Sequence, residues 1–210
     1  MKASHDRTDV SLFARAWVIA SPVLERIGLA RSRRRLVSGL SGTVVEVGAG
    51  SGVTFEHYPP QVTRVVAIEP DPHLRAHARR YAARASVPVE VVESVAEALP
   101  LADGEADAVV FGLVLCTVPD VPAALAEADR VLAPGGELRL FEHVRAEGRL
   151  GRVADRIAPV WSRLGGGCRP NRDTGRALTE AGFDVTGLRT RTFPPVLQLT
   201  PILSGSARRR

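Results

Sequence analysis

Val45-Glu46-Val47-Gly48-Ala49-Gly50-Ser51-Gly52 is the stretch on which the reading of this chain turns. Residues 43–47 are a short run dominated by β-branched side chains, and glycines follow at alternate positions. A strand that ends this way opens a turn whose backbone can approach a ligand with no Cβ in the way. Glu69 stands 21 residues after Gly48, beside Pro70, at the close of the next β-branched run. A carboxylate there can accept both hydroxyls of a ribose.

Outward from this loop, strand-like runs recur at Arg64–Ile68, Val87–Val92, Ala106–Phe111 and Glu137–Phe141. Helical spacing fills the gaps at Asp71–Ala85 and Val121–Leu132. Alternating β and α runs with right-handed crossovers predict an α/β, doubly wound, mainly parallel sheet. Upstream, residues 1–40 read as an N-terminal helical segment, with Asp9 or Ser11 as N-cap, Pro22 as a break or restart and Gly28 as an end. A short basic helix, Arg31–Ser38, stops at Gly39. Residues 41–210 read as the ligand-binding domain. Within it, residues 144–172 are Gly- and Arg-rich and long for a plain connection, so they are expected to form a lid. Asp173–Ala181 reads as helix. Phe183–Val185, Leu188–Thr192 and Ile202–Ala207 read as strands, around a stiff loop with Pro194, Pro195 and Pro201.

Composition narrows the chemistry. The chain has 210 residues, 45% of them hydrophobic, enough for one ordinary domain with its own core. Lys2 is the only lysine, which excludes a Schiff-base or phosphate-loop lysine. Cys116 and Cys168 are the only cysteines, too few for a four-cysteine zinc site; they suggest a reducing, cytoplasmic setting. Residues 1–40 carry eight basic and three acidic residues, and the chain ends in Arg208, Arg209 and Arg210. Basic ends suit weak contact with an anionic membrane or nucleic acid, but solvated helix faces and a frayed tail are the plainer reading. With 5% aromatic residues, no platform for stacking bases is visible, which argues against nucleic acid. No run of 18 apolar residues exists.

Two cofactor classes use a loop of this kind. A dinucleotide loop wants a third small residue where Val53 stands, and Glu46 would repel a pyrophosphate. An acid just before the glycines suits a ligand with an ammonium and a sulfonium. The spacing from Glu46 to Gly52 resembles that of S-adenosylmethionine enzymes; a Gly-rich turn in an unrelated α/β domain is the plainer alternative. Glu93–Pro100, Asp103-Gly104 with Asp107, and Arg130–Gly136 resemble the class I methyltransferase series in order and spacing. That resemblance implies a seven-stranded sheet and S-adenosyl-L-methionine as cofactor. It places Glu46, Gly48, Ala49, Gly50, Glu69, Pro70, Val95, Ala96 and Leu113 around it. Relatives often have an acid where Val95 stands, so here backbone or Glu97 would meet the adenine. Leu113–Val118, Phe141–Val144, Pro159-x-Trp161, Gly167-Cys168 and Asn171-Arg172 resemble a narrower group, which contains the mammalian membrane-associated thiol S-methyltransferases. The N-terminus departs from it: an interrupted basic helix stands in place of a hydrophobic anchor.

The expected reaction is methyl transfer to a small-molecule acceptor, with a thiol among the candidates. N- or O-methylation of a metabolite, or a non-catalytic cofactor- or RNA-binding module, are the alternatives. His143, at the edge of the fifth strand, is expected as the base, with Glu142 orienting it; a histidine that only ties down the lid is the bland reading. Adjacent strand residues face opposite ways, so both reach the site only if the strand has ended by Glu142. Cys116, Trp161, Asn171 and Arg172 are the expected substrate-side residues, each with a structural alternative. Cys168 reads as structural, and His57, His73 and His77 as surface residues. No metal is implied.

Overall fold

Runs of valine, isoleucine and leucine become strands buried on both faces, as a parallel sheet requires. The computed structural model describes residues 7–191 and 201–210. β1 (Gly42–Val47), β2 (Val62–Ile68), β3 (Val89–Val92), β4 (Ala106–Gly112) and β5 (Leu132–His143) pair in parallel in the order 3-2-1-4-5. β8 (Ile202–Arg209) then runs antiparallel to β5. β6 (Phe183–Asp184) and β7 (Leu188–Arg191) both pair with β8, at Arg208–Arg209 and Ile202–Gly205. The sheet thus has eight strands at seven positions, the last filled by two short pieces. The break between them is a turn in which the Asp184 side chain accepts the Thr186 amide proton. Residues 192 to 200, with the expected Pro194 and Pro195 loop, lie outside the described residues.

Side chains alternate across the sheet. Val45, Val47, Val109 and Phe111 face one apolar cluster, with Leu125 and Leu178; Val44, Ala108 and Val110 face the other, with Leu36, Val37 and Ala78. Helices α3 (Pro72–Ala82), α4 (Val121–Val131) and α6 (Thr174–Glu180) are started by Asp71, Asp120 and Asp173, whose side chains accept amide protons of the first turn. Asp173, and not Asn171 or Arg172, caps α6.

Three expectations are corrected. α1 (Arg7–Leu24) is already helical at Arg7, so Asp9 and Ser11 lie inside it, and it continues through Pro22. The chain turns instead at Gly28 (φ 135°), before α2 (Ala30–Val37). Residues 36–40 pack against the sheet: Leu36, Val37 and Leu40 share a core with Val44 and Val65. The region 144–172 is mostly helix: α5 spans Gly148–Leu164. Its glycines and arginines read as loop, yet Leu150, Val153, Ile157, Val160 and Trp161 recur at helical spacing and remain exposed. The arginine tail is strand β8, with Arg208 paired to Glu137 and Arg209 to Asp129.

Candidate active site

β1, β2, β4 and β5 all end at one edge of the sheet, where ligands sit in doubly wound folds. At that edge the glycine loop has left-handed backbone at Gly48 (φ 67°), Gly50 (φ 59°) and Gly52 (φ 86°). The reason differs along the loop. A Cβ on Gly48 would stand 2.2 Å from Val114 Cγ2, and one on Gly52 would stand 2.6 Å from the Phe55 ring. These two glycines are therefore required by the protein's own packing. Around Gly50 there is room, the nearest atom to such a Cβ being Trp17 Nε1 at 3.7 Å.

Glu69, 5% exposed, locks the loop to the end of β2: its oxygens accept the amide protons of Gly50 (2.8 Å) and Asp71 (2.9 Å). Burial raises its pKa, and those two amides oppose the rise. A carboxylate has about four lone-pair sites, so two remain for ribose hydroxyls. The open side of Gly50 and this half-used carboxylate fit the nucleoside end of S-adenosylmethionine. Sequence reasoning missed Arg75, which is buried and donates to the carbonyls of Glu69 (3.0 Å) and Pro70 and to Glu93. Nothing distinguishes it in sequence from the other arginines of α3. Ala96 is buried and Val95 exposed in the turn after β3. Glu97 there accepts the Asp120 amide proton at 3.2 Å.

Glu46 is turned into the protein. Its carboxyl accepts the Tyr58 hydroxyl proton at 2.9 Å, and burial raises its pKa against hydrogen bonds from Thr54 and Tyr58. Buried Arg33 donates to Glu25 and to Thr54, so α2 is tied to the same loop. Glu46 thus braces the loop rather than facing a ligand's ammonium group. His57, expected on the surface, has a side chain only 6% exposed, and burial lowers its pKa.

On the acceptor side, β5 runs through His143, which pairs with Ile202. The condition for Glu142 to orient His143 is therefore not met, since adjacent strand residues project to opposite faces. Glu142, fully buried, instead accepts the amide protons of Val114 (2.8 Å), Leu115 (3.0 Å) and Cys116 (3.4 Å). Such a run of amides converging on an anion is a nest. It exists because Leu113 takes a left-handed conformation (φ 63°), alone among the described non-glycine residues. Burial lifts the Glu142 pKa to about 7, and the amides, then His143, oppose the rise. Nothing in sequence marks an acid at the end of one strand as the anchor of another strand's turn.

That turn brings together residues far apart in the chain. Cys116 Sγ lies 3.4 Å from Cys168 Sγ, and Cys168 Sγ lies 3.9 Å from His143 Nδ1. The thiols share a contact: it holds the Cys168 pKa down to about 5, helped by His143 and Trp161, and pushes that of Cys116 up, together with burial. Cys168 is thus more than the isolated structural thiol expected. Arg172 donates to the Leu115 carbonyl, and the Arg169 amide donates to the Cys116 carbonyl at 2.8 Å, so the segment after α5 is pinned onto this turn. Trp161 is half exposed beside Cys168. Asn171 is drawn aside, donating to Asp155 of α5 at 3.2 Å.

Comparison with known proteins bears on the family and the fold. Residues 45–140 match the family model described as a methyltransferase domain. The human thiol S-methyltransferase TMT1B is 35% identical over 79% of this chain and 70% of its own length. Human thiol S-methyltransferase TMT1A is 35% identical over 74% of this chain and 68% of its own. Among solved structures, a Thermotoga maritima protein described as a SAM-dependent methyltransferase, possible histamine N-methyltransferase, superposes with a TM-score of 0.66. It covers 95% of this chain and 96% of its own, at 23% identity.

Proposed function

Because the chain belongs to the class I S-adenosylmethionine-dependent methyltransferases, in a group with the human thiol S-methyltransferases, we propose that its small-molecule acceptor is a thiol. The observation that carries this reading is the position of His143 beside the two thiols. Cys116 belongs to the same turn as Val114, which packs on the cofactor loop at Gly48.

S-adenosylmethionine supplies an activated methyl group on a sulfonium. Gly48, Ala49 and Gly50 would line its amino-acid end, Glu69 would take the ribose hydroxyls, and the backbone at Val95 and Ala96 would meet the adenine. Leu113 would stand at the methionine end. On the other side, His143 promotes loss of the acceptor's proton, while Cys116, Trp161 and Arg172 shape the acceptor's place. A free thiol has a pKa of about 8.5, so modest help suffices. Alignment and exclusion of water account for the rest of the acceleration. Residues 144–172, with α5 at their centre, act as the lid, and their hydrogen exchange should slow when cofactor product and acceptor bind together.

No helix among the described residues is long and apolar enough to cross a membrane. With Arg208 and Arg209 paired, contact with an anionic surface would fall to the exposed Arg31, Arg34 and Arg35 of α2.

The test is methyl transfer from isotopically labelled cofactor to a panel of thiols, phenols and amines. Label recovered in thiols supports the reading. Label confined to amines or phenols would overturn it.

A further inference from the structure

The meeting of Cys116, His143 and Cys168 asks for an explanation beyond packing. Their ligand atoms all lie within 4.8 Å of one another. They arrive on three separate supports: the turn after β4, the last residue of β5, and the segment after α5. Each support is fixed by backbone hydrogen bonds. Glu142 holds the amide of Cys116, the β5–β8 ladder holds His143, and the Gly165 carbonyl accepts the amide proton of Cys168. Both cysteines are buried, while His143 is partly open to solvent.

Two soft sulfurs and an imidazole are a zinc ligand set. With zinc–sulfur bonds of about 2.3 Å and zinc–nitrogen bonds of about 2.0 Å, tetrahedral geometry separates sulfur from sulfur by roughly 3.8 Å and sulfur from nitrogen by roughly 3.5 Å. The separations of 3.4 and 3.9 Å here differ from those by a few tenths of an ångström. A disulfide would use only the two sulfurs and would give the imidazole no part. Two thiolates and a neutral imidazole also balance the charge of a divalent ion, which matters in a site this buried.

We propose that Cys116, His143 and Cys168 bind a zinc ion whose open fourth position takes the acceptor thiol. Three protein ligands and one exchangeable position are the pattern of catalytic zinc sites. The acceptor's S–H bond breaks, its proton leaves to bulk water, and its sulfur replaces a water on the ion as a thiolate. His143 then promotes ionisation as a ligand of the ion, not as a free base. This inference rests on the reading of the acceptor as a thiol.

The experiment uses the full chain, reduced and purified without chelator. Zinc is measured by elemental analysis, and cobalt(II) is then substituted for it. The expected result is one ion per chain and a thiolate-to-cobalt charge-transfer band, both lost in His143→Ala and Cys168→Ser. Thermal unfolding of each variant identifies any that fails to fold, and the partly exposed His143 is the safer of the two. Adding 2-mercaptoethanol should shift the cobalt d–d bands, and adding phenol should not. Zinc-free protein with both thiols titratable and no cobalt band would overturn the proposal, as would finding the two cysteines in a disulfide. If such protein still methylates thiols, the inference fails and the thiol reading stands. Zinc-loaded protein whose bands ignore every thiol overturns the acceptor role of the fourth position.

Discussion

The two halves of the proposed active site are built differently. The cofactor half is local: Glu46 to Gly52 and Glu69-Pro70 are short segments at the ends of adjacent strands, and each does its work near its own place in the chain. The acceptor half is assembled from Cys116, His143 and Cys168, carried by three elements and held together by a buried acid, Glu142, that touches the amides of residues 114–116. The first kind of site tolerates drift elsewhere in the chain. The second exists only when the whole C-terminal half of the sheet is in place. Changes in one half should therefore leave the other's measured property alone, and that separation can be tested.

The largest expected effect is on the acceptor half. Removing the imidazole in His143→Ala should lower methyl transfer by about 10²–10⁴-fold, the usual range for loss of assisted proton removal. The loss should be greatest for thiols of high pKa. Calorimetric affinity for S-adenosylmethionine should stay within about twofold of wild type, and a parallel loss of affinity would dissolve the distinction between the halves.

Next comes packing at the cofactor loop. Gly48→Ala places a Cβ against Val114 in left-handed backbone. Overpacking and the conformational penalty together should cost about 2–5 kcal/mol of stability, read by denaturant unfolding. Because Val114 also carries the turn of the acceptor half, this is the place where the separation should fail.

A smaller, purer cofactor effect is expected from Glu69→Ala, which removes hydrogen bonds to a charged group worth roughly 1.5–3 kcal/mol each. Affinity for the cofactor should fall about tenfold to a hundredfold, with little change in the acceptor KM. An unchanged affinity would take Glu69 out of the cofactor site.

The smallest effect is a pH dependence at Glu46. Its folded pKa is raised above the unfolded value by burial. The folded state therefore holds that proton more tightly, and the stability this supplies is present below the ordinary carboxylate range. It is lost as pH rises through the folded value. Glu46→Gln, neutral throughout, should gain stability relative to wild type as pH rises above the ordinary carboxylate range. A difference that stays flat with pH would mean that Glu46 is not protonated more readily in the folded protein.

The same contrast explains what was legible in the sequence. The central strands were readable because burial on both faces demands unbroken apolar runs, as in residues 106–111. The glycine loop was readable because its chemistry is contiguous. α5 was hidden by its glycines and arginines, although its apolar stripe has helical spacing. Pairing of Cys116 with Cys168 was hidden because 52 residues separate them, and only the pinning of residues 169–172 onto the 115–116 turn brings them together. Glu142 was placed correctly in sequence but given the wrong neighbour, because β5 extends two residues beyond the run that predicted it.

The proposed acceptor atom is sulfur. An acceptor with two competing atoms on one ring, 4-mercaptophenol, offers the site both sulfur and oxygen. The protein is incubated with S-adenosylmethionine, and the product is identified by mass spectrometry and by its reactivity toward a thiol reagent. The expected product is singly methylated and no longer reacts with the reagent, so that the methyl lies on sulfur. A methylated product that still reacts, with the methyl on oxygen, would overturn the thiol reading.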